Sequence, residues 1–262
     1  MTYLKFISNA FQRSLAYKLE YYTGLFNAFL YIFIFTSVWK TVAKESPNFL
    51  GGWKGEKLVE YAILSTLIKV SFGRNDSLVS NKIKTGDIVY DFLKPYNFVL
   101  MYFSDSVGVS LFQFFARAIP LLIFSIFFFG IVPDLNWISI CKFIPIYIFS
   151  FILFTLFGFF ISILSFFFTE TFSFWILYSA LVTLLSGSVI PVNLFPEGWL
   201  KFVSLTPFPY LYYFPTAILI QSPIQFTYQE LFLNYIIQIS VLFVIILVIY
   251  SFGKKKVEFA GG

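Results

Sequence analysis

Six apolar stretches punctuate the chain, at about residues 21 to 39, 58 to 72, 106 to 129, 143 to 168, 172 to 190 and 231 to 252. All but the second are long enough for a helix to cross a hydrocarbon core of about 30 Å. The second is short and holds Glu60 and Lys69, which are expected near its ends, where a long side chain can reach the interface. In the first, Gly24 and Ala28 stand four residues apart on one helix face, a spacing that allows close helix contact. Ahead of it, residues 3 to 19 place Leu4, Phe6, Ile7, Phe11, Leu15 and Leu19 among Lys5, Asn9, Gln12, Arg13 and Lys18. That pattern predicts an amphipathic helix, lying in the headgroup region or forming an ordinary tail. Met1 to Lys18 has no cleavage-like small-residue site and is expected to be retained.

Two intervals depart from simple loops. Residues 74 to 97 form a long polar interval with both charge signs and a helix-like pattern. Asp76 or Ser77 can cap a short helix, Leu78, Val79 and Ile83 share one side of it, and Gly86 ends it. Asp87 then begins a second element, in which Ile88 and Phe92 stand four apart and which Pro95 stops. Two short amphipathic helices at a membrane surface make a docking shape for a protein outside the membrane. The alternative is a solvated loop whose Lys82, Lys84 and Lys94 hold one side of the bilayer. Residues 191 to 229 are broken by Pro191, Pro196, Pro207, Pro209, Pro215 and Pro223, and only Glu197 and Lys201 carry charge before Glu230. Such apolar pieces, too short to cross, predict two re-entrant half-helices whose free backbone groups are surrounded by protein or a cavity.

Composition agrees with a membrane protein: 59% hydrophobic, 12% charged, and a mean hydropathy of +0.83, against roughly 25% charged in a soluble domain. Net charge is +5, but the basic residues sit at loop margins and not in one patch, which excludes nucleic acid as the partner. With both termini inside, ten basic residues (Lys5, Arg13, Lys18, Arg74, Lys82, Lys84, Lys94, Lys254, Lys255, Lys256) face the cytoplasm and six (Lys40, Lys44, Lys54, Lys57, Lys142, Lys201) face outward, favouring that orientation. The chain has no His and a single cysteine, Cys141, placed by this topology at the outer end of the fourth span. Zinc sites, Ser-His triads and an internal disulfide are thereby excluded.

The most anomalous residue is Arg117, near the middle of the third stretch, whose start holds Asp105. A guanidinium at bilayer depth costs roughly 2.5–3.5 kcal/mol on insertion scales. It is either an anionic-substrate or gating contact, or a structural partner of Asp105, Glu170 or a backbone carbonyl. Glu170, in the turn Thr169-Glu170-Thr171, is expected to cap the fifth helix.

The run Lys84-Thr85-Gly86-Asp87-Ile88 with Leu93-Lys94-Pro95, then Leu185-Ser186-Gly187-Ser188-Val189-Ile190-Pro191 with Leu194-Phe195-Pro196, resembles the permease subunit of a type-2 ABC exporter. Thr206-Pro207-Phe208-Pro209-Tyr210, Tyr213-Phe214-Pro215 and the terminal Ala260-Gly261-Gly262 continue the resemblance. The class includes bacterial drug, antibiotic and polysaccharide exporters, and the likeness spans nearly the whole chain. It implies an all-α integral membrane protein, one exporter transmembrane domain over residues 1–262, with an interfacial helix (1–19), six membrane helices, a coupling loop (74–97) and a re-entrant outer segment (191–229). It implies that the segment around Lys82 to Lys94 couples to an ATPase, and with the apolar side read above the expected contacts are Leu78, Val79, Ile83, Lys84, Gly86, Asp87, Lys94 and Pro95. The proline spacing and near absence of charge predict that Gly187, Pro191, Phe195, Pro196, Pro207, Phe208 and Pro215 shape an outer gate. The chain has no Gly-Lys-Ser or Gly-Lys-Thr phosphate loop, so no cofactor is expected on it; ATP and Mg belong on the partner. The expected partners are two ABC ATPase subunits, a second identical or homologous permease, and membrane lipid.

Two other classes are weighed against this. An ion-coupled secondary transporter calls for carboxylates at mid-depth and internal repeats, and the chain shows boundary carboxylates and no repeat. A lipid-modifying enzyme would have to draw acid, base and phosphate contacts from Asp105, Glu170, Glu197 and Arg117, which fall on different helices. The expected cargo is amphipathic or lipid-like, a drug, antibiotic, peptide or glycan precursor, and the expected location is the bacterial cell membrane.

Overall fold

The computed structural model describes residues 2–45, 55–75, 77–130 and 136–260, the last four by their backbone alone. The polar loop over 46–54, the Asp76 cap, Pro133, Asp134, Gly261 and Gly262 lie outside the described residues. Those described form helices and their connections, with no strand among them.

An N-terminal helix α1 (Thr2–Ala16) leads into α2 (Lys18–Glu45), and α3 (Gly55–Ser71) returns. Two short helices follow, α4 (Ser77–Thr85) and α5 (Ile88–Leu93). The next long helix starts at Phe98 and not at Ser106, because Asn97 caps it by accepting from the Leu100 amide at 3.1 Å. It comprises α6 (Phe98–Gln113), one π-turn (Phe114–Ala118) and α7 (Ile119–Phe129). The π-turn precedes Pro120, which has no amide hydrogen for the carbonyl four residues back, so the ladder is locally rewound there. Gly130, with φ +65°, closes α7 in the left-handed conformation.

Next come α8 (Trp137–Ile163), capped by Asn136, and α9 (Phe172–Leu185). The proline-broken interval folds into a 3₁₀ turn (Val192–Leu194), α10 (Glu197–Leu205) and α11 (Pro209–Leu219). Last is α12 (Tyr228–Ala260). Thr227 and Glu230 open it with a capping box, Glu230 Oε2 accepting from the Thr227 amide at 2.8 Å and Thr227 Oγ1 from the Glu230 amide at 3.3 Å.

Among the described residues, four helices are long and apolar enough to cross a membrane: Lys18–Glu45, Phe98–Phe129, Trp137–Phe166 and Tyr228–Lys256. The six apolar stretches are therefore unequal. α9 has 14 residues, and α3 has 17, most of them buried against neighbouring helices. α1 packs on α6 and α4 on α8, while α11 packs between α8 and α3. The larger core joins α3, α8, α11 and α12, and a second one beside α4 unites Val79 and Ile88 with Tyr102, Phe159 and Phe166.

α11 is buried along its whole length. Its backbone is satisfied from other elements: the Tyr210 carbonyl accepts from Ser150 Oγ and Tyr235 Oη, each at 2.7 Å, and the Tyr213 amide donates to the Ser186 carbonyl at 3.1 Å. Such partners make a short helix tolerable inside an apolar bundle.

Candidate functional site

The α4–α5 loop is tied together by a carboxylate. Asp91 is 5% exposed and accepts from Lys82 Nζ, from Tyr96 Oη at 2.6 Å and from Lys94 Nζ at 3.3 Å. Burial pushes its carboxyl up, but the bonds from Lys82, Tyr96 and Lys94 and the Lys82 charge outweigh that and hold it below its ordinary value. The Tyr96 hydroxyl is pushed up in return, by burial and by the carboxylate it bonds. Sequence reasoning missed Asp91, although the Asp91–Lys94 spacing of three on a short helix was a readable signal.

Gly86 sits between α4 and α5 with φ +81° and open space where a Cβ would stand, so its requirement is conformational alone. Asp87 precedes α5 without capping it; its Oδ2 accepts from Thr85 Oγ1 at 2.7 Å. Pro95 is exposed, and Lys94 before it is extended, as a residue preceding proline prefers. Lys84 pairs with Glu170 at 3.1 Å, across to the turn before α9. Glu170 therefore pairs with α4; Thr171 is the residue that precedes α9, and it makes no side-chain cap.

The apolar side of α4 faces inward. Val79 is fully buried, and Leu78 and Ile83 pack against the second core. A helical pattern states which residues share a face, not what covers it, and here the chain's own core does. The apolar groups this loop turns outward are Val89, Tyr90 and Leu93, the last 77% exposed.

Beside the loop, α1 is clamped to α6. Arg13 Nη2 and Nη1 donate to Asp105 Oδ2 and Oδ1 at 2.6 and 3.2 Å, and Asn75 Nδ2 donates to Oδ2 at 2.9 Å. Gly108 makes the approach possible, since a Cβ there would lie 2.2 Å from the Ile7 carbonyl oxygen. With Asp105 so engaged, Arg117 in the π-turn donates instead from Nη2 to the Glu20 backbone carbonyl at 2.8 Å. Its guanidinium lies against Gly24, where a Cβ would fall 2.4 Å from Cζ. Gly24 thus makes room for a side chain and not for a helix backbone.

These residues border a cavity of about 1050 Å³ that runs from α1 and α4 towards the middle of the bundle, between α2, α3, α6, α8 and α9. Its walls are mixed: Phe72, Tyr102, Phe154 and Tyr212 on the apolar side, Lys69, Arg74 and Arg117 among the charged groups.

In the segment after α9, Gly187 has φ +77° and is held on both sides: Tyr61 Oη donates to its carbonyl at 2.5 Å, and a Cβ would lie 2.7 Å from Tyr213 Cβ. Pro191 is buried and begins the 3₁₀ turn; Phe195 and Pro207 are half-buried, and Pro196 is exposed ahead of α10. Phe208 stacks on Phe157 at 5.8 Å, and Pro215 lies within buried α11. Glu197 opens α10, so Asp105, Glu170, Glu197 and Arg117 occupy separate places and form no common acid–base site.

A family model described as "ABC-2 family transporter protein" matches residues 25–261. Among curated proteins none matches the chain.

Proposed function

The chain belongs to the ABC-2 family of transporter proteins, and we propose on that premise that it is the permease of an ATP-driven exporter, moving an amphipathic substrate outward with energy from a separate ATPase. In this reading α2, α3, α6–α7, α8, α9 and α12 are six membrane segments, α1 lies in the interface, and α10 and α11 are re-entrant. Both termini face the cytoplasm of a bacterial cell. Two permeases, identical or homologous, pair with two ATPases that carry ATP and Mg.

One observation carries the coupling role. The α4–α5 loop is braced from within by Asp91 and touches the turn before α9 through the exposed Lys84–Glu170 pair, yet it turns Val89, Tyr90 and Leu93 outward. A rigid turn displaying an apolar edge is the shape that docks in another protein's cleft. The coupling surface proposed is therefore Tyr90 and Leu93 flanked by Lys84, Gly86 and Asp87, with Leu78, Val79 and Ile83 acting from beneath. The buried segment from Gly187 to Pro215 suits an outer gate. An ion-coupled carrier is less well supported, because Asp105, Glu60 and Asp91 are already engaged by Arg13, Lys57 and Lys82.

Co-expression with the candidate ABC ATPase subunits of the source organism tests the reading: one of them should co-purify with the chain and hydrolyse ATP together with it. Elution of the permease alone, with an ATPase unaffected by it, would remove the proposal. Orientation is tested separately at Cys141, which is exposed near the start of α8. An impermeant maleimide should label it on intact cells; labelling only from the cytoplasmic side would invert the topology.

A further inference from the structure

The charge around the cavity is one-sided. Arg13, Lys69, Arg74, Lys82 and Arg117 line it, against Glu20 as the carboxylate among the described residues. Most of these cations have work elsewhere: Arg13 holds Asp105, Lys82 holds Asp91, Arg117 bonds the Glu20 carbonyl, and Arg74 stacks on Trp175 at 3.6 Å. Lys69 is different. Its Nζ stands 4.9 Å from the Tyr31 ring centroid, and among the described residues the ion pairs include none to Lys69.

Lys69 lies near the end of α3, next to buried Leu67 and Ile68. An ammonium in that setting is costly without a counter-charge, and a neighbouring ring supplies only part of one. Further donors lining the cavity are buried without partners, Thr155 Oγ1 and Arg117 Nε among them, Thr155 itself being 2% exposed. One acceptor, Gln113 Oε1, is in the same condition and fits a hydroxyl on a bound molecule. The aromatic walls accept an apolar body, and the volume, about 1050 Å³, is just above the roughly 300–1,000 Å³ typical of small-molecule sites. That size suits an acyl or polycyclic chain more than a simple metabolite.

We infer that the cavity receives an amphipathic anion, an apolar body ending in a carboxylate or phosphate, with Lys69 as the counterion of its headgroup and Thr155 as a neighbouring donor. That this molecule is the exported cargo rests on the permease reading; that it binds does not.

The test uses the full-length permease in phosphatidylcholine nanodiscs, with empty discs as the background. Four fluorescent probes share one chain: dansylaminoundecanoic acid, the corresponding alkyl phosphate, the methyl ester and the amine. Binding is followed by dansyl emission excited through tryptophan. The acid, the phosphate or both should bind at least about tenfold more tightly than ester and amine, and which of them does identifies the headgroup. Lys69→Gln should bring the anions to the level of the ester while leaving the ester unchanged, a loss in keeping with removing one partner of a half-buried charge pair. Lys69→Arg should retain the preference.

Equal binding of acid, phosphate and ester, or tighter binding of the amine, would overturn the inference. So would anion binding unchanged in a Lys69→Gln protein whose gel-filtration profile matches the wild type. If that variant fails to fold, the comparison of the four probes on the wild-type protein decides alone. An intact preference for anions in a chain that binds no ATPase would leave the site standing and remove only its role in export.

Discussion

Arg13 on α1 and Asp105 on α6 form a two-pronged pair, at 2.6 and 3.2 Å, across 92 residues of sequence. Asp105 is nearly inaccessible while Arg13 is close to half exposed. The pair therefore fixes α1 to the bundle at one point of known chemistry, with Asn75 completing the carboxylate.

Breaking this clamp should free α1 without unfolding the bundle. Asp105→Ala leaves Arg13 without its carboxylate and should cost about 1–3 kcal/mol, discounted for the exposed arginine. Limited trypsin digestion should then cut at Lys18 faster than in the wild type, as α1 detaches, while the rest of the bundle keeps its resistance. Identical digestion of variant and wild type would show that packing of Ile7 and Ala10 on Gly108 suffices.

Asp91 makes the α4–α5 loop acid-sensitive. Its carboxyl is held below its ordinary value in the folded protein, so its contribution is fully present above the unfolded pKa of about 3.9 and is lost as pH falls through the folded value. Amide exchange over residues 82–96, corrected for intrinsic rate, should be slow at neutral pH and should rise below about pH 4. Asp91→Asn should flatten that profile and raise exchange at neutral pH. A loop equally protected in Asp91→Asn would mean that the cations and Tyr96 are not what holds it.

Gly24 tests the setting of Arg117. Gly24→Ala puts a methyl group 2.4 Å from Cζ, displacing the guanidinium, the far end of a flexible side chain, from the Glu20 carbonyl and costing about 1 kcal/mol for the lost hydrogen bond. The melting temperature should fall, and Gly24→Ala combined with Arg117→Leu should recover part of the loss. An additive double variant would place the strain elsewhere.

The helical, membrane-type character of the chain was legible in its hydropathy, because bilayer thickness imposes a length on apolar runs. The turn at Gly86 was legible as well, since few residues other than glycine adopt positive φ readily. Glu170 was misplaced because its partner, Lys84, is 86 residues away, and local spacing carries no information about such a pair. The same holds for Arg13 with Asp105; for Arg117 the expected backbone-carbonyl partner is the one found, at Glu20, while Asp105 and Glu170 pair elsewhere. The inward turn of Val79 was hidden for another reason: periodicity defines a face, and only the packed bundle determines what covers it. The Thr227–Glu230 capping box was present in the sequence as Thr-Tyr-Gln-Glu and went unread beside the proline pattern preceding it.

The coupling account rests on the outward edge of α5, so the most direct measurement compares Leu93→Asp and Tyr90→Ala with wild-type permease in the complex with its ATPase. Both positions are exposed and neither belongs to the buried core, so both variants should insert and elute normally. The account predicts that Leu93→Asp, which puts a charge in an apolar contact, weakens co-purification of the ATPase by about tenfold or more, with Tyr90→Ala intermediate. Permease-stimulated ATP hydrolysis should fall in the same order. Full complex formation and full stimulation by the double variant Tyr90→Ala and Leu93→Asp would contradict it.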